Sequence, residues 1–225
     1  MLKAFTEVPF FPFMTHHPKT CFGLLRHTVT EWNQSRRIQG QSDSPLTMTG
    51  KTMALQWGRI LAGKSWSRIL SSDLGRARKT TELINQTLNL PVTLDSRLRE
   101  KNWGKWTGKS MAQLKMEFVD IWVKQMQSEW DFCPPGGESF QSVWKRGREA
   151  LAAASDNWPG EKILVVTHEG MIKSLIYHES TLSDFLKDGQ CLMPYHLHRL
   201  TFFGGSLAIE RLNFLNLSPA FSVQP

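Results

Sequence analysis

Cysteine is scarce in this chain. Cys21, Cys133 and Cys191 are the only three, they are widely scattered, and none sits in a CxxC or a Cys/His cluster of zinc spacing. A disulfide framework and a structural zinc site are thereby excluded, and the three read as reduced packing residues. Long apolar runs are missing as well. No stretch reaches the ~18 to 20 apolar residues of a membrane span, and the apolar segment from Val8 to Met14 is broken by Pro9 and Pro12. The expectation is a soluble, unexported, cytoplasmic protein with no membrane partner. There is no Lys/Arg run, no recognition-helix cue and no RNP-like aromatic motif, so no nucleic acid is expected as a partner despite a formal net charge of +7. Internal repeats are absent too.

What is present is ordinary globular material. At 225 residues, 40% hydrophobic and 21% charged, the chain can build a sizeable core in one domain with an elaborated loop or cap. Residues 1–120 hold 18 basic and 9 acidic side chains, residues 121–225 hold 9 and 11, so the basic half faces either an anion or solvent.

The chain pattern alternates strands and helices. Phe22 to Arg26, Ile69 to Ser72 and Lys162 to Thr167 read as strands, the last with an unbroken Ile-Leu-Val-Val run typical of a strand buried on both faces. A helix opens at Thr47 or Thr49 and stops at Gly63. A second carries Leu74, Ala77, Thr81, Ile84 and Leu88 with Asp73 as its expected N-cap. A third is marked by Phe140, Val143, Trp144, Gly147 and Leu151, and a fourth runs over Met171 to Tyr177. Two late strands meet at Gly204-Gly205 as a hairpin. Residues 101–138 are Trp-rich and irregular, with a helix expected over 110–126 and a Pro-Pro-Gly-Gly break at 134–137. This pattern predicts a layered α/β fold with mainly parallel strands. Such sheets bind ligands outside the carboxyl ends of the strands, where this sequence places Arg26, His27, Arg76 and His168.

Gly58 to Ser65 reads GRILAGKS, a literal GxxxxGK[ST] phosphate loop. That loop must leave a strand and open a helix for its N–H groups to wrap phosphates. Here it runs out of a helix toward a strand, so a nucleotide loop is not expected. No GxSxG elbow supports a serine hydrolase. His196 and His198 lie two apart on one strand face without a third ligand type nearby, and read as surface histidines rather than a metal pair.

Four ordered blocks carry a resemblance. LLRHTVTEWNQ resembles the opening signature of the histidine phosphatases, the superfamily that includes cofactor-dependent phosphoglycerate mutases, matching at Arg26, His27, Thr30 and Asn33 with Thr28 in place of Gly. SSDLGRARKTT resembles the second element with Arg76, LREKNWGKWTGK the acid-bearing element with Glu100, and VVTHEG the closing element with His168. The resemblance implies a three-layer α/β/α sandwich with a mostly parallel central sheet. It also implies His27 as nucleophile through a phosphohistidine, phosphoryl oxygens held by Arg26, Arg76 and His168 with help from Thr30 and Asn33, and Glu100 as proton donor. No cofactor or metal is implied, and the substrate is a small phosphomonoester. Its organisation would be a leader at 1–20, the catalytic domain at 21–214 with a cap at about 103–138, and a tail at 215–225.

The physics agrees with that casting. Uncatalysed monoester hydrolysis is so slow that several preorganised cationic donors must converge on the phosphoryl group. Arginine forks supply them, and two arginines beside a histidine favour its neutral, nucleophilic form. Glu117 and Glu138 compete with Glu100 for the acid role from the irregular region. Two further departures are Thr107, where the family's GxWEG element often has Glu, and Thr81, where Ala is common. Only 68 positions separate Glu100 from His168, shorter than the mutase insertion, which favours a phosphatase. The stretch RRIQGQSDSPLT resembles the branch of broad-specificity and alpha-ribazole phosphatases, with Gln39, Gly40 and Trp103 as candidate substrate contacts. A mutase and a catalytically weak phospholigand-binding module are the competing readings, and the residues do not decide between monomer and homodimer.

Overall fold

The computed structural model describes residues 18–117, 131–179 and 191–218. Six strands form one sheet: β1 (Thr20–Arg26), β2 (Arg68–Ser71), β3 (Val92–Leu94), β4 (Lys162–Thr167), β5 (His196–Phe203) and β6 (Ser206–Asn216). Their order across the sheet is β3-β2-β4-β1-β5-β6. The first four run parallel, and β5 and β6 close the other edge antiparallel as the Gly204-Gly205 hairpin. The described helices are α1 (Glu31–Gln34), α2 (Met48–Leu61), α3 (Gly75–Leu88), α4 (Met111–Glu117), α5 (Phe140–Asn157) and α6 (Glu169–Glu179).

Period-two alternation divides the core between the two faces. In β4, Ile163 and Val165 point to a cluster with Val143, Leu151, Met171 and Leu175 of α5 and α6. Leu164 and Val166 point the other way, toward Met53, Trp57, Ala77 and Ile84 of α2 and α3. The strand is apolar throughout because both faces are covered, and the expected three-layer sandwich is the one observed. A third, small cluster of Trp106, Leu114 and Phe132 sits in the irregular region, with Ile38 and Trp103 packed on it.

Several boundaries depart from the sequence expectation. Thr47, not Thr49, caps α2, accepting from Gly50 N at 2.9 Å. The edge strand β3 gave no burial signal because Val92 and Leu94 are exposed. Asp73 does not cap α3. It accepts from Nε and Nη2 of Arg99, at 2.7 and 2.5 Å, and the first N–H groups of α3 donate instead to Asp43, 32 positions upstream of Gly75. A bidentate ion pair outcompetes a local cap for that carboxylate. Strand β6 runs to Asn216 and Leu217 is buried, so these residues belong with the fold and not with a tail opening at 215. The expected helix over 110–126 is seen as α4, and its part beyond 117 lies outside the described residues, as does most of the leader.

Helix α2 approaches the β1–α1 connection closely enough that Gly50 has no room for a side chain. An added Cβ would lie 2.2 Å from the Val29 carbonyl oxygen, a backbone atom that cannot swing away. Gly50→Ala gains roughly 1 kcal/mol of helix propensity and loses about 1–3 kcal/mol to overpacking. The clash wins, so urea denaturation of Gly50→Ala should show a lower midpoint at unchanged slope. A midpoint at or above the parent's would refute the close approach.

Candidate active site

The carboxyl ends of the parallel strands deliver the site. β1 ends at Arg26 and leads into His27, β2 ends at Ser71 and leads through Ser72 into α3 with Arg76, and β4 ends at Thr167 and leads into His168. The rings of His27 and His168 lie 5.2 Å apart. Both histidines and Arg76 are buried.

His27 is held in one tautomer. Its Nδ1 lies 2.8 Å from the carbonyl oxygen of Thr28, an acceptor only, so Nδ1 carries the hydrogen. Nε2 then carries the lone pair, and Arg76 Nε donates to it at 3.2 Å. Burial, then Arg26 and Arg76, hold the His27 pKa well below its ordinary 6.5, against the Thr28 carbonyl. Desolvation is the larger cause, ahead of the two arginines from which the lowering was expected. His168 is held low by burial first, with Arg76, His27 and Arg26 adding to it. Its Nε2 lies 2.8 Å from Ser72 Oγ, while Nδ1 is buried with no partner among the described residues. If the Ser72 hydroxyl donates, Nδ1 bears a hydrogen available to an oxyanion.

Arg76 is anchored by a loop that sequence reasoning gave to substrate. Its Nη2 donates to the Gly40 carbonyl at 2.7 Å, and Nη1 to the Ser42 carbonyl at 2.8 Å and to Asp43 at 3.1 Å. Gly40 therefore positions the arginine through its backbone. It adopts a left-handed φ of +53°, and a Cβ would crowd Thr107 Oγ1 at 3.0 Å. Gln39 is buried with an unpartnered Oε1. Trp103 stacks on Trp106 and meets Phe140 edge-on, so much of its ring serves the aromatic cluster.

Glu100 is the carboxylate the fold brings in. Lys101 N donates to its Oε1 at 2.7 Å and Gly170 N to its Oε2 at 3.2 Å, so the first turn of α6 faces it. A Cβ at Gly170 would come within 2.2 Å of Glu100 Oε1 and would push the carboxylate aside. Arg146 of α5 fixes the segment from behind, donating to the carbonyls of Arg97, Arg99 and Glu100. The two rival acids are engaged elsewhere: Glu138 pairs with Arg146, and Glu117 with Lys109.

Thr30 and Asn33 form a reciprocal capping box on α1. Thr30 Oγ1 accepts from Asn33 N at 3.2 Å and donates to Asn33 Oδ1 at 3.0 Å. That leaves the Asn33 amide hydrogens as the uncommitted donors of the pair. Arg26 pairs with Glu169 at 2.5 Å. Burial pushes the Glu169 carboxyl up, but Arg26 and Lys173 outweigh it and hold it below the usual range. Thr28 is accommodated by turning to α3, where its N–H donates to Thr80 Oγ1 at 3.2 Å and its hydroxyl lies 3.3 Å from the same oxygen.

Sequence reasoning missed Asp43, Ser72, Arg146, Glu169 and Lys101. Lys101 is fully buried: its Nζ donates to the Phe132 carbonyl at 3.0 Å and sits 3.7 Å from the Phe140 ring centre. Burial brings its pKa down to about 8. His198 is also buried rather than on the surface, and accepts from Asn213 N at 3.1 Å, with its pKa lowered to about 4. Among the described residues no group of His, Cys, Asp and Glu is arranged to hold a metal ion, and no helix is long and apolar enough to cross a membrane.

The Histidine phosphatase superfamily (branch 1) family model matches residues 22–215, and the chain belongs to that superfamily. A relative from Salmonella choleraesuis (strain SC-B67), named "Probable phosphoglycerate mutase GpmB", is 42% identical over 146 residues, 64% of this chain and 67% of that one. Among solved structures, Bacillus stearothermophilus YhfR superposes with a TM-score of 0.78 at 30% identity, covering 88% of this chain and 98% of that one. A mycobacterial glucosyl-3-phosphoglycerate phosphatase complexed with VO3 superposes with a TM-score of 0.75 at 27% identity, covering 87% and 98%.

The lowered histidines make stability depend on pH. Below about 6.5 the unfolded chain takes up protons on His27, His168 and His198 that the folded chain refuses. Unfolding is then favoured as pH falls. The free energy of unfolding should fall between about pH 6 and about pH 5, by at most about 1.4 kcal/mol per pH unit for each proton that only the unfolded chain takes up. Urea titrations at these two pH values would contradict this by giving equal stabilities.

Proposed function

We propose that the chain is a metal-independent phosphomonoesterase that works through a phosphohistidine on a small phosphorylated metabolite. The observation that carries this reading is the neutral, tautomer-fixed His27, its Nε2 lone pair facing Arg76 and its ring beside His168. In the first step His27 Nε2 attacks phosphorus, the ester P–O bond breaks, and the leaving oxygen takes a proton from Glu100. Arg26, Arg76 and His168 hold the phosphoryl oxygens, where fixed donors stabilise developing charge without reorganising. In the second step Glu100 takes a proton from water, which attacks phosphorus and breaks the P–N bond. Phosphate leaves and His27 returns to its neutral form. Thr30 acts mainly by setting the Asn33 amide, whose free hydrogens reach for a phosphoryl oxygen.

Arg76 must exchange partners for this to happen. Its Nε–H, now on His27, re-aims at phosphate as the lone pair turns to phosphorus, while the Gly40 and Ser42 carbonyls keep the fork in place. The name of the Salmonella relative supports a second reading, transfer between positions of a phosphoglycerate, while the name of the mycobacterial structure and the short span between Glu100 and His168 support hydrolysis.

His27→Ala should lower hydrolysis of p-nitrophenyl phosphate by about three orders of magnitude or more, and wild-type hydrolysis should persist in EDTA. Full activity in that variant would sink the mechanism, and interconversion of phosphoglycerates faster than phosphate release would give the mutase reading instead. Glu100→Gln should lose about 10²–10⁴-fold in kcat on alkyl phosphates, whose leaving oxygen needs a proton. The same variant should lose far less on p-nitrophenyl phosphate. Gly170→Ala, which displaces the same carboxylate, should share that selectivity. Equal losses on both substrates would remove Glu100 from the acid role.

A further inference from the structure

At the opposite end of the sheet the strand register gathers a second cationic group. Cys21 of β1 lies beside Lys162 of β4, and Gly23 lies opposite Arg199 of β5. By period-two alternation these four residues share the face that Leu25, Leu164 and Leu197 cover with α2 and α3. Helix α2 ends before reaching them, at Leu61, and a single tight turn follows over Ala62–Lys64. The face is thus left as a shelf. Its cavity, about 270 Å³, is lined by Lys64, Ser65, Trp66, Lys162, Arg199 and Phe214, with Cys21 and Gly23's neighbour Phe22 at its floor.

Each part of this shelf has a local cause. Ser65 adopts a left-handed φ of +57°, a conformation usual for glycine or asparagine, and it turns the chain between Lys64 and Trp66. The benzo edge of Trp66 then comes down on β1, where the missing side chain of Gly23 makes room: a Cβ there would meet the indole at 2.4 Å. The Trp66 indole N–H is buried with no acceptor among the described residues. Phe214 forms the other wall, with the Arg199 guanidinium 4.6 Å from its ring centre. Glu210 partly neutralises Arg199, at 3.2 Å. Lys64 and Lys162 have no ion pair among the described residues, and no carboxylate lines the cavity.

We infer that this shelf is a second binding site, for a ligand that joins a polyphosphate to a planar ring, such as a nucleoside polyphosphate. Two unpaired ammonium groups and a guanidinium supply the counter-charge, and two aromatic walls supply a slot for the ring. The site uses the last residues of the GRILAGKS segment, but as side chains on a sheet face and not as a loop of backbone N–H groups. It is separated from His27 by the length of β1, about 20 Å at ~3.3 Å per residue, and it does not depend on the reaction proposed above.

Cys21 reports on the site because it is a half-buried residue of the cavity lining, whereas the other two cysteines, Cys133 and Cys191, are exposed and remote in sequence. Alkylation by iodoacetamide, mapped by peptide mass, should be slowed at Cys21 by the non-hydrolysable adenosine imidotriphosphate and more weakly by pyrophosphate. Neither should slow labelling at Cys133. Titration calorimetry with the same nucleotide should give affinities about tenfold or more weaker for each of Lys64→Ala and Lys162→Ala. Arg76→Ala, which dismantles the histidine site, should leave both the protection of Cys21 and the affinity intact. The assignment is overturned if the nucleotide does not bind, if binding survives Lys64→Ala/Lys162→Ala, if it is lost in Arg76→Ala, or if pyrophosphate binds as tightly as the nucleotide.

Discussion

The side chain of Arg76 is the point at which separate parts of the chain become one site. It reaches His27 through Nε, the Gly40 and Ser42 carbonyls and Asp43 through its terminal nitrogens, and Asp43 in turn holds the first N–H groups of the helix that carries Arg76. A guanidinium buried to this extent is costly unless its hydrogens are accepted. The loop over residues 40–43 exists in its observed form because it accepts them. Strand, loop and helix are therefore set by one another, and moving any of the three changes the direction in which the imidazole lone pair points.

The acid is held by a comparable set of dependencies. Arg146 collects three carbonyls from the segment leading to Glu100, Glu138 neutralises Arg146, and the Gly170 N–H meets the carboxylate from the start of α6. No neighbour of Glu100 is decisive alone. Together they hold the carboxylate between Lys101 N and Gly170 N, near enough to Arg76 to favour the charged form of that arginine.

Much of this was legible in the sequence. The four blocks announced His27, Arg26, Arg76, Glu100 and His168, and the alternation of strands and helices announced three layers, because both signals are local: a residue type at a strand end, and a period of two or 3.6. What escaped depends on contacts between distant segments. Asp43 holds the start of a helix 32 positions away, while Asp73, expected as the cap, lies one residue before the actual N-cap Leu74 and pairs with Arg99. Gly40, a candidate substrate contact, also holds an arginine through its carbonyl, which no local pattern announces. Strand β3 has three residues, the outer two exposed, and is defined by pairing with β2, not by any pattern of its own. A lysine next to the acid gave no hint of being buried, since lysine is ordinarily a surface residue.

That lysine has a consequence for how the molecule responds to base. Lys101 carries its ammonium among Phe132, Phe140 and Trp103, and its pKa near 8 is lower than the ordinary 10.5. Between those two values the folded chain has released a proton that the unfolded chain still keeps, so the contribution of Lys101 to stability rises with pH across that range. The segment around residue 132 is fastened beside Glu100 by an amine that rests more easily when uncharged, and mild alkali is the condition in which that fastening is least opposed.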